Sequence, residues 1–385
     1  MTASAQRPLR ILHVCEVHWG GVVTLLEHFV EQQVRAGHDV HVLAHPAMPP
    51  LDAGADVRPW GLDRRRPWTW LGAQRGLRKC VRQVRPDVVH LHSFLAGALG
   101  RTPPELAGLA GLPVVYQPHA WSDRLFTRPG APGAIRAAER RFARRTDLLV
   151  ANCEDELDRG RTFGVHVPGR AIGVAVDLAR FRPPTTAERA AARAALGVPD
   201  DRRLALVLGR VAWQKGQDLL AGAWRETRPA GTTLALVGPG DPAFVADHAG
   251  EELGRSILLP GGTDDVLPWL WAADVMVLPS RYETVALVVA EAMSTGLPVV
   301  AAAVDGAREV LRGGEREPAG AIVPLDDASA LVRELTLRLD DPALRARESA
   351  AGPIRARELF APEAVAARLE LAYRDAIRRH YEDVR

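Results

Sequence analysis

The sequence predicts an α/β protein made of two doubly wound, mostly parallel sheets. Three observations carry that prediction. The chain is 385 residues long, which exceeds what one ordinary core holds. Short β-branched apolar runs alternate with helical stretches along nearly its whole length. At Phe181-Arg-Pro-Pro-Thr-Thr the composition turns to proline and polar residues, and a second alternating series then begins.

The first series opens with the apolar run Leu9 to Val17. Gly20-Gly21 follows, then a helical pattern from Val22 to Arg35, a Gly37-His38 turn and a second strand from Asp39 to Ala44. Strand, glycine turn, helix and strand in that order form the unit from which doubly wound sheets are built. Further strands are predicted at Pro86 to His92, Leu112 to His119 and Asp147 to Asn152, the last after an arginine-rich helix from Ala134 to Arg145. Past the proline-rich stretch, strands are predicted at Leu204–Leu208, Leu234–Val237, Ser256–Leu259, Val275–Leu278, Val299–Ala302 and Ala321–Val323. The expected domains are therefore residues 1–180 and 181–361. An amphipathic C-terminal helix within 362–385 is expected to pack back on the first. Two facing sheets of this kind would place chemistry on the loops after the strands, in a cleft between the halves.

Composition narrows the function. Hydrophobic residues make up 47% and charged residues 25%, the balance of a soluble globular protein. A formal net charge of +2 gives no global argument for nucleic acid. Cys15, Cys80 and Cys153 form no CxxC pair, which fits a reducing compartment without structural zinc. No stretch reaches the ~20 apolar residues of a membrane span, so a cytoplasmic location is expected.

Among 49 basic residues only Lys79 and Lys215 are lysines. Lys215 lies in Gly209-Arg210-Val-Ala-Trp-Gln-Lys215-Gly216, directly after a predicted strand. A compact ammonium beside an arginine at a glycine-flanked strand-to-helix turn suits a phosphate group, although two ordinary surface cations would read the same way. The second constellation is Ser280-Arg-Tyr-Glu283-Thr-Val-Ala-Leu-Val-Val-Ala-Glu291. Its two carboxylates are eight positions apart, about 12 Å along a helix, too far to share one proton. Ionised carboxylates only accept hydrogen bonds, so two of them at that spacing suit the hydroxyls of an elongated, sugar-containing ligand.

These motifs resemble the retaining glycosyltransferases of family four, with the GT-B fold of two facing Rossmann-like domains, which carry a G-R-x4-K-G run and an E-x7-E motif. The resemblance covers nearly the whole chain. It implies an N-terminal acceptor-binding domain and a C-terminal domain for the nucleotide-sugar donor. By the same resemblance Arg210 and Lys215 bind the donor diphosphate, Glu283 contacts the donor sugar and Glu291 the ribose. Gly20 and Gly21 match a glycine loop lying against the diphosphate. His119 matches a histidine that hydrogen-bonds the donor sugar near the reaction centre. Gly238 and the stretch from Gly262 to Leu267 match loops flanking the base. Thr284, Val285 and Ala286 stand where the family usually has Gly-Phe-Gly, which places three side chains at the donor-sugar pocket.

The implied activity is a metal-independent, retaining hexosyl transfer from a UDP- or GDP-linked sugar to an acceptor hydroxyl, with no cofactor and no covalent nucleophile. Negative charge developing on the leaving diphosphate would be met by Arg210, Lys215 and helix N-termini. His13, His18, His38, His41 and His45 show no metal-ligand spacing and are read as packing or solvent residues. On the acceptor side the candidates are His92, Ser93 and Trp121. The surrounding sequence resembles exopolysaccharide and capsule transferases, implying a glycan or lipid-linked acceptor and polysaccharide biosynthesis. A basic, tryptophan-containing segment, 60–85, could touch the inner face of a membrane or be a solvated surface. The alternatives are tailoring of a small secondary metabolite such as an aminocyclitol, and an inactive GT-B scaffold acting as a binding protein.

Overall fold

The structure is a computed structural model that describes residues 7–51, 54–124, 128–312 and 316–382. It divides into two compact units. One contains residues 1–175 together with 362–385, the other residues 176–361. The Phe181-Arg-Pro-Pro segment thus lies just inside the second unit.

The first unit is built on a seven-stranded parallel sheet. Its strands are β1 (Arg10–Cys15), β2 (Asp39–Ala44), β3 (Asp56–Pro59), β4 (Val88–His92), β5 (Val114–Gln117), β6 (Leu148–Ala151) and β7 (Gly169–Ala171), in the spatial order 3-2-1-4-5-6-7. The order reverses beside β1, which pairs with both β2 and β4. Loops after β1 and β4 therefore leave the sheet at a topological switch point, where doubly wound sheets bind ligands. β4, β5 and β6 are buried along their whole length, as strands covered on both faces must be. One face packs Leu12, Val14, Leu77, Leu91 and Trp121 into a single core, and the other gathers Leu26, Val30, Val40 and Val42. The C-terminal helix Pro362–Glu382 belongs to this unit and buries Val365, Leu369, Tyr373 and Ala376. β3 and β7 are the two strands the apolar pattern does not reveal. Both are edge strands with exposed positions and so carry no hydrophobic run.

The second unit holds a six-stranded parallel sheet of β8 (Arg203–Leu208), β9 (Thr232–Val237), β10 (Ile257–Gly261), β11 (Val275–Leu278), β12 (Val299–Ala302) and β13 (Gly320–Val323), ordered 10-9-8-11-12-13. Its switch point is at β8, which is followed by the Gly209 to Gly216 loop. Trp224, fully buried against Leu234, Leu236 and Val245, anchors the helix Gln217–Thr227 on the sheet and so fixes where that loop ends.

Candidate functional site

The loop after β8 is shaped by its glycines. Gly216 has φ 69°, and a Cβ there would sit 2.1 Å from the Pro279 carbonyl oxygen. That contact brings the turn before the helix Gln217–Thr227 against the end of β11. Gly238, with φ 158°, comes as close to the Gly209 carbonyl, a Cβ again falling 2.1 Å away. The Gly238 N–H donates to the Gly261 carbonyl at 2.8 Å and Val211 N–H to the Pro239 carbonyl at 2.8 Å. Loops after β8, β9 and β10 therefore lie side by side, with exposed Gly262 against Pro239. Leu267 opens the short helix Leu267–Ala272, its N–H bonded to Asp265 at 3.0 Å.

Lys215 and Glu283 meet directly, Nζ to Oε1 at 2.5 Å, with side chains only 20% and 12% exposed. The same carboxylate oxygen is within 3.4 Å of Gln214 Nε2 and of Ser280 Oγ. Arg210 is exposed on the same loop. A part-buried ammonium held by one carboxylate, beside an exposed guanidinium and a helix N-terminus, leaves a cationic face for an anion.

Two braces hold this arrangement, and neither has a sequence signature. Gln217, 1% exposed, donates from Nε2 to the carbonyls of Arg210 (2.9 Å) and Gly209 (3.3 Å), fastening the loop to the following helix. Arg281 makes a two-bond pair with Asp218 at 2.9 and 2.7 Å, donates to the Trp213 carbonyl and lies over the Trp213 ring. Arg281 thus ties the Glu283 loop to the Lys215 loop. A planar guanidinium can grip a carboxylate with two bonds, donate to a carbonyl and lie flat on an indole, a geometry that a lysine does not reproduce.

Thr284, Val285 and Ala286 are buried, and none has a positive φ. Ala286 is the extended residue that begins the helix Leu287–Ser294. The backbone here needs no glycine, which is why three side chains are accommodated. Glu291 lies on that helix, part-exposed, with its pKa pushed up to about 7 by burial and only partly pulled back by Arg180. Because its folded pKa stands above the ordinary carboxylate value, the protein disfavours the ionised form. The stability present below about pH 4.5 is lost as pH rises toward 7. Glu291→Gln is expected to flatten that dependence and to raise stability at pH 8 by on the order of 1–3 kcal/mol, read by denaturant unfolding across pH.

In the first unit, exposed Gly20 (φ 80°) starts the helix Gly21–Arg35, whose first turn has neither an acidic residue nor a side-chain cap. His119 (φ 54°) and Ala120 (φ 87°) follow β5 in the left-handed region. Such backbone is uncommon without glycine and persists where the surroundings impose it. Glu156 does so here, its carboxylate accepting from the N–H groups of Ala120 at 2.7 Å and Asn152 at 2.8 Å.

His92 and Trp121, expected against an acceptor, are interior side chains at 0% and 3% exposure. Both ring nitrogens of His92 are engaged by other histidines, and the indole of Trp121 donates to the Glu156 carbonyl. Neither offers side-chain surface to an acceptor; Ser93 (φ 69°) is part-exposed. His13, read as a packing residue, joins His90 and His92 in a buried trio with ring nitrogens within 4.8 Å of one another. Sequence spacing concealed that grouping because the residues come from two adjacent strands, with His13 opposite His90. In the 60–85 segment Trp60 is buried and bonded to the Ala73 carbonyl, whereas Trp68 and Leu71 are 75% and 58% exposed. No helix among the described residues is long and apolar enough to cross a membrane. The cavity of about 430 Å³ lined by Arg189, Trp271, Asp274, Pro298 and Arg345 lies where β11 and β12 begin, at the opposite end of the sheet from these loops.

Comparison with known proteins matches residues 19–180 to a glycosyltransferase family 4 profile and residues 202–341 to a glycosyl transferases group 1 profile. A D-inositol 3-phosphate glycosyltransferase of Catenulispora acidiphila is 33% identical over 317 residues, covering 76% of this chain and 72% of that protein. The lipopolysaccharide core mannosyltransferase LpsB of Rhizobium meliloti is 31% identical over 61% of this chain and 67% of its own length. Among solved structures, sucrose-phosphate synthase of Thermosynechococcus elongatus superposes with TM-score 0.81 at 23% identity, over 95% of this chain and 98% of that one. Anabaena HepE, solved with UDP and glucose, gives 0.78 at 19% identity over 94% and 98%. With glycine-shaped loops after β8 and β9, the Lys215–Glu283 pair and this kinship, the chain belongs to glycosyltransferase family 4 and is a hexosyltransferase of the GT-B fold.

Proposed function

We propose that the protein transfers a hexose from a UDP- or GDP-linked sugar with retention of anomeric configuration and without a metal ion. The observation that carries this reading is the Lys215–Glu283 pair beside exposed Arg210. In the reaction the anomeric carbon to phosphate oxygen bond breaks, charge grows on the diphosphate, and Arg210, Lys215 and the N-terminus of the helix Gln217–Thr227 stabilise it. These fixed cations do the work that Mg²⁺ does in metal-dependent transferases. Glu283 and Glu291 accept hydrogen bonds from donor hydroxyls, and a His119 nitrogen meets a sugar hydroxyl. A panel of UDP- and GDP-sugars tests the reading by binding, product mass and the anomeric configuration of the product. Full turnover is expected in EDTA. Failure to bind any of the donors, an inverted product or a metal requirement would count against it.

Glu291 gives the reading a pH signature. If its ionised carboxylate grips the ribose, donor affinity is expected to rise by about tenfold per unit below pH 7 and level off above it. The same dependence should vanish in Glu291→Gln.

Two observations favour different acceptors. Exposed Trp68 and Leu71, next to exposed Arg64, Arg65, Arg66 and Arg75, favour a glycan carried on a lipid at an anionic membrane surface. Relatives described as D-inositol 3-phosphate glycosyltransferases favour a small cyclitol. Sedimentation with anionic vesicles, lost in Trp68→Ala/Leu71→Ala and in high salt, supports the first. Turnover of free D-inositol 3-phosphate without vesicle binding supports the second.

A further inference from the structure

Four side chains of the first unit form one hydrogen-bonded file through its interior. Gln33 Oε1 meets His13 Nε2 at 2.8 Å, His13 Nδ1 meets His92 Nε2 at 2.9 Å, and His92 Nδ1 meets His119 Nε2 at 3.0 Å. The His13, His92 and His119 rings stack along the same line, with centroids 5.1 and 5.3 Å apart. A branch runs from Gln33 Nε2 to Tyr373 Oη at 3.3 Å, and Tyr373 Oη meets His90 Nδ1 at 2.9 Å.

A neutral imidazole has one N–H donor and one bare nitrogen, and a carboxamide oxygen only accepts. The first bond therefore dictates the rest. Gln33 Oε1 takes the proton on His13 Nε2, so His13 Nδ1 is bare and accepts from His92 Nε2–H. His92 Nδ1 is then bare and accepts from His119 Nε2–H. On the branch, Gln33 Nε2 donates to Tyr373, whose hydroxyl donates to His90 Nδ1. Turning the Gln33 carboxamide end for end would reverse every bond in the file.

We propose that His13 and His92, with Gln33, are positioning residues that hold His119 in its Nε2–H tautomer and so present Nδ1 as a hydrogen-bond acceptor for a substrate hydroxyl. This rests on the reading that His119 meets substrate. Burial supports it by keeping the file neutral: it lowers the pKa of His13 to about 4, of His92 well below the usual imidazole range, and of His119 likewise downward. A file of uncharged rings cannot scramble its polarity by picking up a proton near neutral pH. Among the described residues no protein group bonds His119 Nδ1, while the left-handed backbone of His119 and Ala120 is pinned by Glu156. The function assigns no role to the file otherwise, and its members come from β1, β4, the loop after β5 and the helix Gly21–Arg35.

The competing use of the same rings is a metal ion shared by His13, His90 and His92, one nitrogen from each; His90 Nε2 is buried without a partner, and on His92 the metal would take Nε2, the nitrogen that faces His13. A metal there would force His92 to donate from Nδ1 and so move the His119 proton to Nδ1. The two arrangements predict opposite tautomers.

The test is nitrogen-15 NMR of histidine-labelled protein, with metal analysis of the same sample. The expected result is a protonated Nε2 and a bare Nδ1 on His119, with no stoichiometric metal. His92→Leu should mix the His119 tautomers and lower kcat/KM by roughly tenfold, the effect of one misdirected hydrogen bond. His92→Asn, whose Oδ1 falls where Nδ1 was, should restore both the tautomer and most of the rate. A proton on His119 Nδ1 in the wild type, stoichiometric metal, or a tautomer unchanged in a folded His92→Leu protein would overturn the file whatever the rates. Full transfer by His119→Ala would instead remove the substrate contact, while the NMR result still reported on the file.

Discussion

Lys215→Ala is expected to lower kcat/KM for the nucleotide sugar by roughly 10²–10³-fold, the usual cost of deleting one donor aimed at developing charge. The fold should survive. The lysine lies on a loop, and its removal leaves Glu283 within 3.4 Å of Gln214 and Ser280 and 12% exposed, so the carboxylate is not stranded. Circular dichroism and the unfolding midpoint should therefore move little while turnover collapses. Lys215→Arg should also lose much of the rate. The ammonium reaches Glu283 Oε1 at 2.5 Å in a space bounded by Gly209, whose Cα side lies close to the lysine stem. A planar, five-donor fork does not reproduce a compact charge in that position. Equal rates for Lys and Arg would mean that the lysine reflects composition alone.

Glu283→Gln is expected to reduce turnover by about 10²-fold or more, because it weakens the acceptor for donor hydroxyls and releases Lys215 from its partner at the same time. The exchange Lys215→Glu/Glu283→Lys separates structure from chemistry. It restores an ion pair of the same residues, so a purely structural role predicts recovered stability and recovered activity. The proposed reaction predicts recovered stability only, since a carboxylate would then face the diphosphate. Reading kcat and KM separately adds a further check: a group acting in the transition state lowers kcat, whereas one that only holds substrate raises KM.

Most of the fold was legible because buried parallel strands announce themselves. β4, β5, β6, β11 and β12 are short apolar runs bounded by turn residues, and each lies where the sequence pattern places it. The edge strands β3 and β7 were not legible, since an edge strand half open to solvent has no such run. Glycine loops and the candidate residues on them could be placed because each stands at a strand end, where periodicity stops. The braces could not. Gln217, Asp218 and Arg281 are ordinary polar residues in sequence, and only the approach of the β8 and β11 loops gives them partners. The burial of His92 and Trp121 was not legible for the converse reason: His92 ends a predicted strand and Trp121 follows one, where side chains can reach a ligand, and burial is a property of what packs over them.

The sequence by itself determined the α/β class, two sheets, the positions of the glycine turns, and the lysine and carboxylates that carry family membership, because these depend on local pattern and on residue chemistry. Tertiary structure alone decided that Lys215 pairs with Glu283, that Arg281 locks one loop to another, that burial pushes the Glu291 pKa up to about 7, and that four side chains from separate segments align into one file ending at His119. Hydrogen-bond direction and desolvation are set by neighbours distant in the chain, and a linear pattern does not record who those neighbours are.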